Sequence, residues 1–448
     1  MSGGAAHTNC ALYFDPTLIK GRCVSALRPI FVLIAAVWFL QLAGGALSVI
    51  VPLGLSEMGA SATNIGIIAA LYAAGMMAGA YGAPRLVGEI GNIRVFSAAA
   101  SLTLIGSLAL SFTPSIWLWA PIRIFQGIGF AAMFASAEAW LGQAAPKDQR
   151  GSVLGAYNVA AKAALMTGPF LIAGFAPLAS GAFILTGIFL ALALIPVCLT
   201  RQVEPQRVQT GGLEIRAIIK AAPSAVLGCF MAGIINTGTF ALLPVFAASA
   251  MTDYSAVAAA ATAFAVANAG GLIAQWPIGK LSDRLDRRTV VAAQTALAAI
   301  AVTPLAIFGS TLPSLAILAL ITAWGAGSLT FYGVCIAHGI DRVEEGRITE
   351  LMGVLIISWA TGSVIGPIIA GFVVESLPGQ RPLFVFTLAG LILLSLSMIQ
   401  RKVRRSSPRA TRPWVMTWPA PIGLMSTKFY RIRRRHDDSG QHDGSGPG

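Results

Sequence analysis

Twelve apolar runs of about 20 residues, separated by short polar turns, constrain this chain more than any other feature. They span 29–53, 62–83, 95–113, 116–141, 151–175, 178–200, 221–248, 254–277, 289–309, 312–339, 349–374 and 381–399. At 1.5 Å per residue each is long enough to cross a hydrocarbon core of about 30 Å as a helix. Only 11% of residues are charged, against about 25% in soluble domains. Such a chain cannot cover a water-facing globule, so most of its surface must face lipid. The expected fold class is all-α integral membrane protein with twelve transmembrane helices. Turns such as Pro114-Ser115 and Pro177-Leu178 are short enough to force antiparallel neighbours. The five cysteines (Cys10, Cys23, Cys198, Cys229 and Cys335) are widely spaced and form no CxxC pair, so free thiols are expected rather than a disulfide or metal site. The first 28 residues hold no apolar core of signal-peptide length, and the first run reads as a retained helix.

The basic residues orient the spans. An even number of spans places both termini on one side, and 28 of the 31 Lys and Arg fall on that side. Arg381 alone falls on the other, and Arg123 and Lys162 lie within spans. The positive-inside rule then puts both termini in the cytoplasm of a cell whose inner (plasma) membrane the chain crosses. The tail 400–448 supplies +8 of the +13 net charge and is rich in Pro, Ser and Gly, a composition that favours disorder. Its run Arg431-Ile432-Arg433-Arg434-Arg435 suits anionic lipid, at about 1 kcal/mol per basic residue. For a tail tethered to a membrane, nucleic acid is not the expected partner.

An internal repeat divides the chain. Residues 150–175 read RGSVLGAYNVAAKAALMTGPFLIAGF, and residues 347–372 read RITELMGVLIISWATGSVIGPIIAGF. Both open on Arg, reach Gly-Pro two-thirds of the way along and close on Ala-Gly-Phe. Gly82 and Gly279 are separated by the same 197 residues. Parallel repeats of this kind are related by an axis along the membrane normal, with the substrate site at their interface. The expected organisation is a cytoplasmic segment 1–28, a six-helix bundle 29–200, a linker 201–220, a second bundle 221–399 and the basic tail 400–448.

QWPIGKLSDRLDRR (Gln275 to Arg288) resembles the loop signature G-x-L-x-D-R-x-G-R-R of the major facilitator superfamily, and RIFQGIGFAAMF (Arg123 to Phe134) resembles its helix-4 signature R-x-x-Q-G-x-G-x-A. AEAWL at 137–141, QWPIGKLSDR at 275–284 and SWATGSVIGP at 358–367 are similar to the YcaD-like branch. The resemblance runs from the first span to the twelfth. It implies two pseudo-symmetric six-helix bundles, a secondary active transporter of a small organic solute and alternating access. It also implies a conformational latch built from Gly279, Asp283, Arg284, Arg287 and Arg288. Two departures stand out. Asp286 replaces the usual Gly, and the first-half loop GAPRLVGEIGNIR at 82–94 lacks the signature Asp.

An ionisable group deep in a span costs roughly 2.5–3.5 kcal/mol, so its first reading is functional. Arg123, Glu138, Lys162 and His338 are the candidates for proton coupling or substrate binding. The resemblance gives Arg123 either role; satisfying carbonyls at the bundle centre is the alternative. Glu138 suits a proton cycle or an ion pair with an internal Arg such as Arg150. His338 sits at the corresponding place in span 10, near the rim, where it could titrate or cap a helix. Lys162 lies about 18 Å from either end of span 5, beyond snorkelling reach, and favours an anionic or polar substrate or a structural partner. Further cavity candidates are Trp38, Gln41, Gln126, Asn236, Thr239 and Tyr332. Gly168-Pro169 and Gly366-Pro367 are expected helix bends. No GxxxxGK[ST], HExxH or GxSxG motif is present. No enzyme, cofactor or metal reading has residues to stand on, and protons, a small solute and membrane lipids are the expected partners of a monomer. Import of a riboflavin-like heterocyclic vitamin and export of drug-like compounds both fit the residues. A transporter-like membrane sensor is the alternative class. Deleting 400–448 separates the classes: flux measured in vesicles should survive in a transporter, whereas a sensor should lose its output.

Overall fold

With no water in the hydrocarbon core, backbone N–H and C=O groups must find partners inside their own segment, which drives each apolar run to helix. The computed structural model describes residues 16–112, 114–144, 150–200, 215–377 and 382–404. Among these, every regular element is helical. The first half comprises α1 (Pro16–Glu57), α2 (Ala62–Ile90), α3 (Asn92–Phe112), α4 (Ile116–Ala144), α5 (Arg150–Leu171) and α6 (Ser180–Cys198). A short helix, α7 (Ile215–Ala221), precedes the second half. There the seventh span is split into α8 (Pro223–Ala232), a π-helical turn (Gly233–Thr237) and α9 (Gly238–Ala250). Next come α10 (Ala256–Arg284) and α11 (Arg287–Phe308), then the tenth span as α12 (Ser314–Ser328) and α13 (Phe331–Ile340). The chain continues through α14 (Ile348–Ser376) and α15 (Pro382–Arg404).

Twelve spans result. Eleven are apolar enough to cross a membrane on length and composition alone. The twelfth, α5, is long enough but carries Tyr157, Asn158 and Lys162 within its 22 residues. Several helices overrun the apolar runs that define them. The helix of α1 begins at Pro16, α2 continues to Ile90 and α10 to Arg284, because backbone hydrogen bonding does not stop where the lipid does. The signature segment is consequently helical up to Arg284, and only Leu285 and Asp286 form the corner before α11. Ile215–Ala221, within the segment expected as linker, is helical as well. The rest of that linker and the basic tail beyond 404 lie outside the described residues.

The helix pairings repeat between the halves. In the first, α1 packs on α5, α2 on α4 and α3 on α6; in the second, α8 and α9 pack on α14, α10 on α12 and α11 on α15. The halves meet through α2 with α14 and through α5 with α10, the pair of contacts that a two-fold relation exchanges. Small residues make these approaches possible, since lipid gives no hydrophobic drive for helix association and close packing must supply the attraction. Gly127 of α4 lies directly on the Tyr72 carbonyl of α2, and Gly325 of α12 on the Ala267 carbonyl of α10. Ser61 caps α2 by accepting from Asn64 N at 3.3 Å, and Ser255 caps α10 by accepting from Ala258 N at 3.4 Å.

The corners that carry most described Lys and Arg define a basic face, and Ser61 and Ser255 lie at the opposite one. There the halves touch. Gly66 seats on the Pro367 carbonyl and Gly371 on that of Ala62, while Ser255 Oγ lies 3.5 Å from the Ala173 carbonyl. Gly127→Ala should lower the melting temperature in detergent, at a cost of about 1–3 kcal/mol for overpacking. Gly88→Ala, where a methyl meets nothing within 4 Å, should be neutral or stabilise by up to about 1 kcal/mol.

Candidate functional site

The centre of the first half is built on α4. Arg123 and Phe130 are seven residues apart and share a helix face, and Gly127 between them lets α2 come close. The Arg123 guanidinium carbon lies 4.1 Å from the centroid of the Tyr72 ring, and Phe130 meets the same ring edge-on at 6.2 Å. Arg123 Nη1 donates to Gln126 Oε1 at 2.7 Å. Arg123 is 7% exposed and Gln126 0%. The Gln126 side chain packs against Gly106 of α3, which fixes it as a support for the guanidinium. Arg123 Nε is buried without a hydrogen-bond partner, and no described carboxylate pairs with it. A desolvated cation–π contact contributes about 2 kcal/mol, whereas taking an ion out of water costs several. Desolvation wins, leaving a cation short of a negative or acceptor partner. On α1, Gln41 Oε1 and the Phe130 ring flank Gly44; Gln41 is buried and Trp38, one turn away, half-buried.

Glu138 is buried nearer the basic-face end of α4, and its Oε1 has no hydrogen-bond partner. Tyr157 of α5 is its electrostatic neighbour, and the Tyr157 hydroxyl is equally buried and unpartnered. Lys162 is buried on α5. Arg150, the alternative partner of Glu138, has a side chain outside those described.

In the second half, the two irregular spans face each other. Asn236, within the π-helical turn, donates to the Ser328 carbonyl at 3.1 Å, and Ser328 Oγ donates to Asn236 Oδ1 at 2.6 Å. Ser328 is the last residue of α12, where the tenth span breaks. A π turn interrupts the regular ladder and commonly marks a functional position. Tyr332 is buried with its ring 6.3 Å from that of Trp359. Thr239 instead faces α15, with its Oγ1 2.8 Å from Thr387 Oγ1.

The signature residues gather at the basic face. Arg287 Nε lies 2.8 Å from Asp341 Oδ2, and Arg287 Nη2 lies 3.5 Å from Asp283 Oδ1. One guanidinium thereby joins the ends of α10, α11 and the tenth span. Asp286 caps α11 by accepting from Arg288 N at 2.8 Å and pairs with Arg288 Nη2 at 3.2 Å. The departure from Gly thus supplies a helix cap. Arg288 Nη1 also donates to the Arg401 carbonyl at 2.9 Å. His338 is buried in a crevice with Ser224, Arg287, Arg288 and Cys335, so it belongs to this cluster and not to the Arg123 group. Gly279 is buried, and Arg284 is exposed, outside the ion pairs. At the Gly-Pro pairs, α5 and α14 continue as helix through Pro169 and Pro367. Gly168 seats on the Leu42 carbonyl and Gly366 on that of Ile234.

The chain matches the family model of the Major Facilitator Superfamily over residues 33–346 and 225–434. The chain belongs to this superfamily. A relative, the uncharacterized MFS-type transporter YcaD of Salmonella typhi, is 26% identical over 381 residues, covering 84% of this chain and 96% of that one. Among solved structures, the nucleoside transporter NupG superposes with a TM-score of 0.71 at 12% identity, covering 83% of this chain and 98% of that one. A POT family transporter in complex with a thioalcohol-conjugated peptide gives 0.68 at 13% identity, over 84% and 96%. These likenesses show the fold. As a superfamily member the chain is a multi-pass membrane transporter and not an enzyme.

Sequence reasoning missed Tyr72, Tyr157 and Asp341. A lone Tyr within the Gly-spaced stretch LYAAGMMAGA was the available signal for the first. Asp341 carries none, since its partner is 54 positions away. Burial works to raise the Asp286 carboxyl, but side-chain and backbone hydrogen bonds from Arg288, with its charge, hold it below the usual range. That depressed value adds stability above the ordinary carboxylate range, about 3.9, and the gain is lost as pH falls through the lowered value. Asp286→Asn keeps a capping side chain, so it should lower the melting temperature at neutral pH, with the gap to wild type closing at low pH.

Proposed function

We propose that this superfamily member is a secondary active transporter that moves a small organic solute across the inner membrane by alternating access, coupled to protons. The observation that carries this reading is Arg123, a buried cation clamped by Tyr72 and Gln126 with no carboxylate partner among the described residues. A substrate bearing a negative or strongly accepting group would complete it, in keeping with a site at the interface of two halves. The irregular turn at Gly233–Thr237 and the break after Ser328 supply the facing half with backbone polar groups, as transporter sites commonly do. The cross-half pairs α2 with α14 and α5 with α10 give two bundles a surface on which to rock.

Glu138 is the proposed proton carrier; its carboxyl is buried, and Oε1 has no hydrogen-bond partner. The basic face is the proposed cytoplasmic side, with both termini there and the basic tail against anionic lipid. The protein is taken to work as a monomer. An importer of a planar heterocyclic vitamin and an exporter of drug-like compounds both accommodate Arg123 over an aromatic ring.

Proton flux in everted membrane vesicles, against vitamins, amino acids, organic anions and dyes, tests the reading. One compound should collapse or build a pH gradient in wild type. Glu138→Gln should abolish that coupling, and Arg123→Gln should raise the apparent KM at least tenfold. Flux that survives Glu138→Gln unchanged would assign coupling elsewhere, and no response from a folded protein to any compound would favour a uniporter or a sensor.

A further inference from the structure

Among the described residues, the opposite-face contact between the halves contains an ionisable side chain with a defined partner across the interface. Glu375, in the last turn of α14, accepts from the backbone N–H of Thr63 in the first turn of α2 at 3.2 Å. The first N–H groups of any helix lack intrahelical partners. In α2 they are shared out. Ser61 takes that of Asn64 from within its own half, and Glu375 takes that of Thr63 from the other half. The N-terminus of a helix carries partial positive charge, so a carboxylate suits it better than a neutral group. Around this bond, Gly66 and Gly371 bring α2 and α14 into backbone contact.

The arrangement is one-sided. At the related contact between α5 and α10, Ser255 donates across to the Ala173 carbonyl, and the segment 172–180, IAGFAPLAS, contains no acidic residue. At the basic face, Asp283 and Arg287 pair with groups of their own half, and the first-half loop 82–94 has no signature Asp. Glu375 thus bridges the halves at a helix end on the face away from the family signature.

We propose that Glu375 is the latch of the opposite-face gate. By capping α2 in trans it holds the two halves together at that face, and it must release whenever the gate opens. The bond is solvent-exposed, so it sets the share of closed molecules and does not lock them. The proposal rests on the alternating-access reading.

Spin labels at Phe112 of the first half and Leu315 of the second, both on the opposite face and both at least 80% exposed, would report the gate. They go into purified full-length protein that lacks other reactive cysteines, with double electron–electron resonance as readout. Glu375→Ala should increase the long-distance component at least twofold, with Glu375→Gln between it and wild type. Asp253→Ala, which breaks a bond to Ser314 within the second half, should leave the distribution unchanged. A Glu375→Ala distribution identical to wild type, or an equal shift in Asp253→Ala, overturns the latch. A second pair at Tyr81 and Leu285 on the basic face, both exposed, separates the two readings. If the opposite face opens in Glu375→Ala without the basic face closing, the latch stands and alternating access falls.

Discussion

Everything in this molecule follows from the rule that lipid offers no hydrogen bonds. Each segment that enters the bilayer must satisfy its own backbone, so each becomes a helix, and the fold reduces to how twelve helices touch. Apolar side chains give little drive for that, because lipid tails are as apolar as they are. Attraction comes from close approach, and close approach requires glycine. Gly127 against the Tyr72 carbonyl and Gly325 against that of Ala267 are the same device in the two halves. The glycine that admits α2 to α4 also delivers the Tyr72 ring to Arg123.

The same rule makes every buried polar group costly and therefore informative. Where the structure satisfies them, they serve architecture. Thr239 with Thr387, and Arg287 with Asp283 and Asp341, tie helix to helix inside one half. Groups left short are found in both halves: Arg123 Nε, Glu138 Oε1 and the Tyr157 hydroxyl on α4 and α5, and Gln294 Nε2 and Trp324 Nε1 on α11 and α12. The second half contributes backbone irregularity, with the π turn of the seventh span tied to the broken end of α12 through Asn236 and Ser328. The halves share a plan of packing and have diverged in what their centres present.

Their junction has diverged as well. Two equivalent helix pairs join the halves, and among the described residues a carboxylate reinforces the contact between α2 and α14. The signature acid of the second half, Asp283, meanwhile pairs with Arg287 at the other face. Polar control over the two faces is thus assigned to different residues of the second half.

The number of spans, their duplication and their family could be read from the sequence, because each rests on local composition or on a repeated string. Apolar length sets a span, and the Gly-Pro repeat sets the two-fold plan. Arg123, Glu138 and Lys162 were visible as charges where charge is costly. Their partners were not. Tyr72 meets Arg123 from 51 positions away, and Tyr157 enters the electrostatic surroundings of Glu138 from the next helix. His338, matched to Glu138 by register, is drawn instead into the arginine cluster of its own half. Tertiary packing alone decided these, since the spacing of residues along one helix says which face they share but not which helix that face will meet.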